Sequence, residues 1–139
     1  MLARINAAKN SDKGFTLIEL LVVIIIIGIL SAVAIPLFLN QQKKAQDAAA
    51  KADVSTIGKE VATYFVDSAT APTIKQTAVG GEYQLNDVKI GNASANVVLT
   101  GLKGTTSEDW CVAVTNPKGD KSKTGYKYSA AGGLQEGVC

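Results

Sequence analysis

The feature that most constrains this chain is an apolar segment in its first third. From Leu20 to Leu39 every residue is apolar, glycine or proline, except Ser31. At about 1.5 Å per helical residue, a stretch of this length spans roughly 30 Å, the thickness of the hydrocarbon core of a bilayer. We therefore predict a membrane-spanning helix here.

A carboxylate lies at the start of this segment. Glu19 directly precedes Leu20, and no Lys, Arg or His occurs between Phe15 and Leu39. A charge at this depth costs about 3 kcal/mol on insertion scales, so we expect a partner from elsewhere. Cleavage after Gly14 would create an α-amine on Phe15, and the amine of a neighbouring copy fits better than that of the same helix.

The residues around Glu19 form a recognisable motif. Lys13-Gly14-Phe15-Thr16-Leu17-Ile18-Glu19, with a basic stretch before it and an apolar helix after it, closely resembles the class III signal segment of type IV pilins. The resemblance covers about residues 9–39. It implies that a prepilin peptidase cuts between Gly14 and Phe15 and N-methylates Phe15, and that Glu19 and the Phe15 amine form an assembly charge pair.

The resemblance also implies partners. Pilins form a homo-oligomeric helical filament, and their assembly depends on an ATPase and a platform membrane protein. The subunit would first lie in the inner (cytoplasmic) membrane as a single-pass precursor with its N-terminus in the cytoplasm. It would then pass into an extracellular filament.

Two residues weaken the apolar helix. Pro36 lacks a backbone N–H and its ring clashes with the carbonyl of Ala32, while Gly28 lowers helix propensity by about 1 kcal/mol relative to Ala. The segment between Gly28 and Pro36 is therefore where we expect a kink. The resemblance to pilins implies that this segment can melt on assembly.

The N-terminal residues 1–14 are short, polar and basic, and we interpret them as a cleaved leader. The charged residues of this stretch are Arg4, Lys9, Asp12 and Lys13. Their net positive charge favours the cytoplasmic side and places the rest of the chain outside. A rival cut by ordinary signal peptidase at Ala32-Val33-Ala34 would explain neither Gly14 nor Glu19.

Three further regions follow the leader. Residues 15–39 form the transmembrane or assembly helix, and residues 40–71 continue it as an amphipathic helix, since no helix breaker follows Asn40. One apolar stripe is predicted along this second half: Ile57, Val61, Tyr64, Phe65 and Ser68. The opposite face is interpreted as solvated: Lys44, Asp47, Lys51, Lys59, Glu60 and Asp67.

Residues 72–139 change to short alternating runs with frequent turn residues, which predicts a globular β-sheet head. The predicted strands lie near 83–85, 88–90, 96–100, 110–115 and 126–129. An antiparallel sheet of three to five strands would cover the helix stripe. The predicted fold class is α+β, a long helix packed against a small antiparallel sheet, as the type IV pilin fold also implies.

The two cysteines, Cys111 and Cys139, both fall in the part predicted to lie outside the membrane. An oxidising compartment favours a disulfide, and two thiolates in a chain with no histidine cannot complete a zinc site. We therefore predict a Cys111–Cys139 bridge, which bounds a C-terminal loop, and no metal centre.

No catalytic motif is recognisable. The chain has no histidine, which removes the usual general base, and it contains no phosphate-binding or dinucleotide fingerprint. We predict neither enzymatic activity nor a cofactor. Glu108-Asp109 is more typical of a solvated loop than of a calcium site, and Trp110 of core packing against the disulfide.

A lysine patch surrounds the predicted last turn. Its members are Lys118, Lys121, Lys123 and Lys127, with Tyr126 and Tyr128 between them. Nucleic acid is a weakly supported partner, because such lysines more often provide solubility and because bases and acids balance after residue 14.

The favoured hypothesis is a structural subunit that polymerises through its N-terminal helix into a type IV pilus for adhesion, motility or DNA uptake. The alternative is a pseudopilin of a type II secretion or competence apparatus, which shares the features of residues 14–39. A monomeric signal-anchored surface binding protein is a second alternative, and it leaves Gly14 and Glu19 unexplained.

Overall fold

The computed structural model describes residues 14–139, and the leader predicted over 1–14 lies outside the described residues except for Gly14. The chain divides after Leu39 into two compact units. One helix, α1, runs through Leu17–Asp67 with Pro36 inside it. It ends where the Ser68 N–H donates to the Tyr64 carbonyl oxygen at 3.1 Å.

Seven strands follow the helix. Strands β1 (Ile74–Gln76), β2 (Glu82–Leu85) and β3 (Val88–Asn92) form a three-stranded antiparallel sheet in that order. A second antiparallel sheet contains β4 (Val98–Lys103), β5 (Cys111–Thr115), β6 (Tyr126–Ser129) and β7 (Gly133–Glu136). Asn86 and Asp87 make the tight turn between β2 and β3 with positive φ angles of 50° and 67°.

The predicted α+β class is confirmed, but the sheet prediction is wrong in detail. The structure has two sheets where we expected one of three to five strands. Between the two sheets, the side chain of Gln76 makes hydrogen bonds to backbone groups in place of a pairing between strands. The Gln76 Nε2 donates to the Val97 carbonyl oxygen at 2.8 Å, and the Gln76 Oε1 accepts the Leu99 N–H at 2.7 Å.

The core lies between the second half of α1 and both sheets. Its fully buried helix residues are Ala50, Val54, Ile57 and Val61. They belong to one cluster with Tyr83, Val97, Val112, Val114 and Tyr126 from the strands and loops. The predicted stripe at Ile57 and Val61 is therefore confirmed, and it begins two turns earlier than the sequence indicated.

Asp47 contradicts the prediction of a solvated helix face. Its side chain is buried, and its carboxylate accepts hydrogen bonds from the backbone N–H groups of Asp120, Lys121 and Ser122 and from the Ser122 hydroxyl. This carboxylate therefore fixes the β5–β6 loop to the helix. The other residues assigned to that face are exposed: Lys44, Lys51, Lys59, Glu60 and Asp67.

A second buried carboxylate on α1, Asp53, holds the other side of the unit. It accepts hydrogen bonds from the Tyr83 hydroxyl at 2.8 Å, the Ser94 N–H at 2.8 Å and the Ser94 hydroxyl at 2.7 Å. Two helix carboxylates thus bind two different loops, and each compensates for its lost hydration with several donors.

Candidate assembly and processing site

The chain enters α1 through three non-helical, exposed residues, Gly14, Phe15 and Thr16. The Phe15 side chain is 94% exposed. A Cβ at position 14 would lie more than 4 Å from the other described atoms beyond its neighbours in the chain. Packing in this structure therefore does not require glycine at position 14.

Thr16 and Glu19 form a reciprocal cap at the start of α1. The Glu19 Oε2 accepts the Thr16 N–H at 2.8 Å, and the Thr16 Oγ1 accepts the Glu19 N–H at 3.2 Å. This arrangement is a capping box, which satisfies two donors that the first helical turn leaves unpaired. The pattern Thr-x-x-Glu could have revealed it from the sequence, where we expected a partner only from elsewhere.

The cap leaves part of Glu19 available. Among the described residues, the Glu19 Oε1 accepts no hydrogen bond. The capping bond uses the amide between Phe15 and Thr16, so a cut between Gly14 and Phe15 would leave that amide intact. A capped Glu19 could therefore still accept a cationic partner.

The apolar segment is exposed along its whole described length. Its large side chains from Leu20 to Leu39 are each about half exposed or more. Within the described residues, α1 is the one helix long and apolar enough to cross a membrane. The helix continues through both Gly28 and Pro36, and the proposed kink and melting at these residues stay predictions.

The disulfide predicted from the sequence is present. It joins Cys111, at the start of β5, to Cys139, with a Cα–Cα distance of 5.9 Å. Beside it, Trp110 is buried and stacks between Phe65 and Tyr128, with ring centroids 6.4 Å and 6.1 Å away. Trp110 therefore serves the core, as the sequence predicted.

The Glu108-Asp109 pair lies in a loop stabilised by hydrogen bonds. The Asp109 Oδ1 accepts the N–H groups of Thr105 and Thr106 and the Thr106 hydroxyl. These bonds, first of all the one from the Thr106 N–H, hold the pKa of Asp109 below its usual value. The Asp109 Oδ1 therefore already stabilises the loop through these hydrogen bonds.

The lysine patch is divided by its environment. Lys118 and Lys123 are exposed, whereas Lys127 is half-buried in β6. Lys121 pairs with Glu136 of β7, with the Lys121 Nζ 2.7 Å from the Glu136 Oε1. Within the described residues, one of the four lysines is thus paired with an acidic side chain of the four-stranded sheet.

Comparison with known proteins gives matches in two groups. Residues 9–35 match the family model for the prokaryotic N-terminal methylation motif. The fimbrial protein EcpC of Eikenella corrodens is 35% identical over 103 residues, which cover 70% of this chain and 67% of that protein. The type IV major fimbrial protein FimA of Dichelobacter nodosus is 33% identical over 98 residues, covering 70% of this chain and 62% of FimA.

The second group belongs to secretion systems. The type II secretion system core protein G of Pseudomonas aeruginosa is 34% identical over 68 residues, covering 49% of this chain and 48% of that protein. The chain thus spans about two thirds of the fimbrial relatives and about half of the secretion protein. No solved structure matches the chain.

Proposed function

The chain belongs to the type IV pilin family, and we propose that it is stored in the membrane by its apolar helix and polymerises through that helix into a filament. The observation that carries this proposal is the exposed apolar surface of Leu20–Leu39. Such a surface requires lipid or protein around it. Identical helices would replace lipid at little cost, because both environments are apolar.

Processing would convert the stored form into the assembling form. We propose that a prepilin peptidase cuts between Gly14 and Phe15 and methylates the new amine of Phe15. The open surroundings of Gly14 support the proposed cut, because no packing contact in the structure requires glycine at this position. Recognition by a protease would explain the glycine, because a protease that binds extended backbone would select a residue without a side chain at the cleavage site.

The Phe15 amine and Glu19 would then direct assembly. We propose that the amine of one subunit pairs with the Glu19 carboxylate of its neighbour. The capping box supports this because it orients the carboxylate through Oε2 and leaves Oε1 open. In a medium of low dielectric an unpaired charge is strongly disfavoured, so pairing would report that a subunit is cut and in register.

The remaining parts of the proposal concern location and partners. Residues 1–14 would stay in the cytoplasm, residues 15–39 would cross the membrane, and residues 40–71 with the head at 72–139 would lie outside. Assembly would use an ATPase and a platform membrane protein. The role is structural, with catalysis left to the processing enzyme.

A pseudopilin is the second candidate, and the match to core protein G favours it. Against it, the two fimbrial relatives align over more of this chain, 70% compared with 49%. Both candidates share the helix and the processing motif, and they differ in the assembly that the subunits build. A pilin builds long surface fibres, whereas a pseudopilin builds a short assembly that serves secretion.

The test is to express the full chain in its host and to examine sheared surface material by electron microscopy and intact-mass measurement. Long fibres whose subunit starts at Phe15 with one added methyl group are expected. A subunit that starts at Met1 or Ile35 would contradict the processing proposal. Absence of fibres together with loss of secretion in a deletion strain would favour the pseudopilin.

A further inference from the structure

A groove of ≈ 520 Å³ is lined by the last two turns of α1 and by the hairpin of β2 and β3, entirely within the unit of residues 40–139. Its surface is mostly apolar, and the apolar and aromatic side chains in it are Tyr64, Leu85, Val88 and Ile90. Val88 is 66% exposed. Two carboxylates also line the groove, Glu60 and Asp67. Nothing in the proposed function uses this groove.

The two carboxylates have no cationic partner in their own subunit. Among the described residues, neither Glu60 nor Asp67 forms an ion pair, and no basic residue lines the groove. The helix positions three and four residues away from each carboxylate, where an ion-pair partner would lie, hold no lysine or arginine. Lys59 lies outside the lining, so the surroundings of the groove keep a net negative charge.

Asp67 has an unfavourable position for the isolated subunit. It is the last residue of α1, and the last turn of this helix contains no basic residue. The unpaired carbonyl groups at the C-terminus of a helix favour a cation and disfavour a carboxylate. A cation from outside the subunit would compensate both Asp67 and the helix end, so the groove is suited to a partner with positively charged side chains.

The β5–β6 loop, residues 116–125, supplies such side chains. Lys118 and Lys123 are exposed, and their Nζ atoms form no ion pair with another described residue. The loop is fixed at its base, because the Asn116 Nδ2 donates to the Gln46 Oε1 at 2.9 Å and the Asp47 carboxylate binds the loop backbone. A loop that is already ordered loses little conformational entropy when it binds.

The loop region is positively charged when all its charges are counted. Within the loop, three lysines stand against Asp120. The side chains beside it add two lysines, Lys44 and Lys51, and two carboxylates, Asp47 and Glu136, which leaves a net charge of +2. A lysine has an apolar stem and a charged tip, so it matches an apolar groove that also contains carboxylates.

We propose that this groove binds the β5–β6 loop of a second copy of this chain. Lys118 and Lys123 of the loop pair with the two carboxylates of the groove. The contact joins two different surfaces, so it is heterologous and can repeat along an open filament. It rests on the proposed function for the filament and for the parallel orientation of the copies in it.

The positions of the two surfaces along α1 determine when the contact can form. The loop is attached to the helix at Asp47, and the groove lies around Tyr64. At 1.5 Å per residue, these levels are about 25 Å apart along the helix. Parallel copies in contact are therefore offset by about that distance. Two copies stored in one membrane lie at the same depth, so the contact forms only after one of them has moved outward.

The first test is cross-linking of the full, disulfide-bonded chain, in sheared filaments and in a maltoside detergent, where copies can take any offset. A water-soluble carbodiimide joins a carboxylate to an amine that lies against it. In detergent, a mixture of unlabelled and isotope-labelled chains separates bonds between copies from bonds within one copy. Peptide mass spectrometry should find Lys118 or Lys123 bonded to Glu60 or Asp67 across copies, with a yield that falls as salt screens the charges.

Asp67→Lys separates the contact from folding. Its thermal midpoint, followed by near-UV circular dichroism in detergent, should equal or exceed that of the parent chain, because a lysine suits the end of a helix. Its filament yield should fall about tenfold or more, because like charges would meet in the contact. The matched control Glu108→Lys reverses an exposed carboxylate outside the groove and should assemble as the parent chain does.

A charge exchange completes the test. Lys118→Glu/Lys123→Glu should lose filaments as Asp67→Lys does, and adding Glu60→Lys/Asp67→Lys to it should restore them at an unchanged net charge. Filaments without the cross-links, no cross-links in either preparation, an equal loss in Glu108→Lys, or no recovery in the exchanged variant would overturn the proposed contact. Failure of the proposed function gives a different result, since the cross-links would form in detergent while the parent chain builds no filament.

Discussion

Gly58 of α1 packs directly against the ring of Tyr128 in β6, so closely that a Cβ at position 58 would overlap the Tyr128 Cγ. This contact brings the helix backbone onto the four-stranded sheet. A larger residue would push the helix and β6 apart in the middle of the core.

Gly58→Ala should therefore destabilise the protein. Alanine is the better helix former by about 1 kcal/mol, but overpacking a core costs about 1–3 kcal/mol, and we expect the clash to prevail. Denaturant unfolding of the disulfide-bonded chain measures the change. The matched control is Gly28→Ala, where no described atom beyond the local helix backbone lies within 4 Å of the new methyl group, and the midpoint of the 40–139 unit should not fall. A stabilised Gly58→Ala variant would show that the sheet moves away easily.

Asp47→Asn should weaken the attachment of the β5–β6 loop. The asparagine would keep the shape but lose the charge that four donors face, which costs about 1–3 kcal/mol at neutral pH. Asp87→Asn is the control, because Asp87 is exposed and forms only a surface ion pair with Lys75. Loss of that ion pair should reduce the free energy of unfolding by less than about 0.5 kcal/mol.

The same residue predicts a pH dependence. Burial opposes ionisation of Asp47, but hydrogen bonds from Ser122, Lys121 and Asp120 outweigh it and hold the pKa of Asp47 below its ordinary value. A depressed pKa in the folded state gives stability that is present above the unfolded pKa, about 3.9, and that is lost as pH falls through the folded value. The stability gap between the parent chain and Asp47→Asn should therefore be constant above about pH 5 and shrink in more acidic solution. A gap independent of pH would contradict this role.

The apolar segment and the disulfide followed from the sequence because both depend on local composition or on residue type. The stripe at Ile57 and Val61 followed from helical periodicity. The role of Asp47 could not be predicted, because its donors lie 73 to 75 residues away and only the tertiary fold brings them together. Helical periodicity alone predicts that a carboxylate between Lys44 and Lys51 lies on the solvated face of the helix.

The sheets illustrate a second limit. Strand β1 has three residues and β7 has four, which is too short for alternation to stand out from the turns around them. The division into two sheets depends on the Gln76 amide, which bonds to the backbone at Val97 and Leu99. No sequence pattern identifies a glutamine side chain that replaces a strand pairing.

Cys139→Ser should reduce the free energy of unfolding by about 2–5 kcal/mol, because the bridge to Cys111 closes a loop with a sequence separation of 28 residues. Surface filament should decline while membrane insertion stays normal, since the apolar helix does not depend on the bridge. Thiol titration of the unreduced, unfolded parent chain provides the check. Two reactive thiols per chain would show that the bridge does not form in the cell.

The roles of Glu19 in capping and in charge pairing can be separated by two substitutions. Glutamine at position 19 can still accept the Thr16 N–H, since glutamine also completes a capping box, but it carries no charge. Alanine removes both the cap and the charge. Neither change lowers the hydrophobicity of the segment, so insertion and cleavage after Gly14 should survive in both variants.

If Glu19 directs assembly through its charge, both variants should accumulate as processed subunits in the membrane fraction with few or no filaments. Glu19→Gln is the decisive variant. It keeps the capped helix start, but the Phe15 amine of the neighbouring subunit loses its charged partner. Cell fractionation, with intact mass to confirm the start at Phe15, measures the outcome. Normal filament yield from Glu19→Gln together with loss in Glu19→Ala would assign Glu19 to capping alone. The observed bond between the Glu19 Oε2 and the Thr16 N–H would then be its whole function.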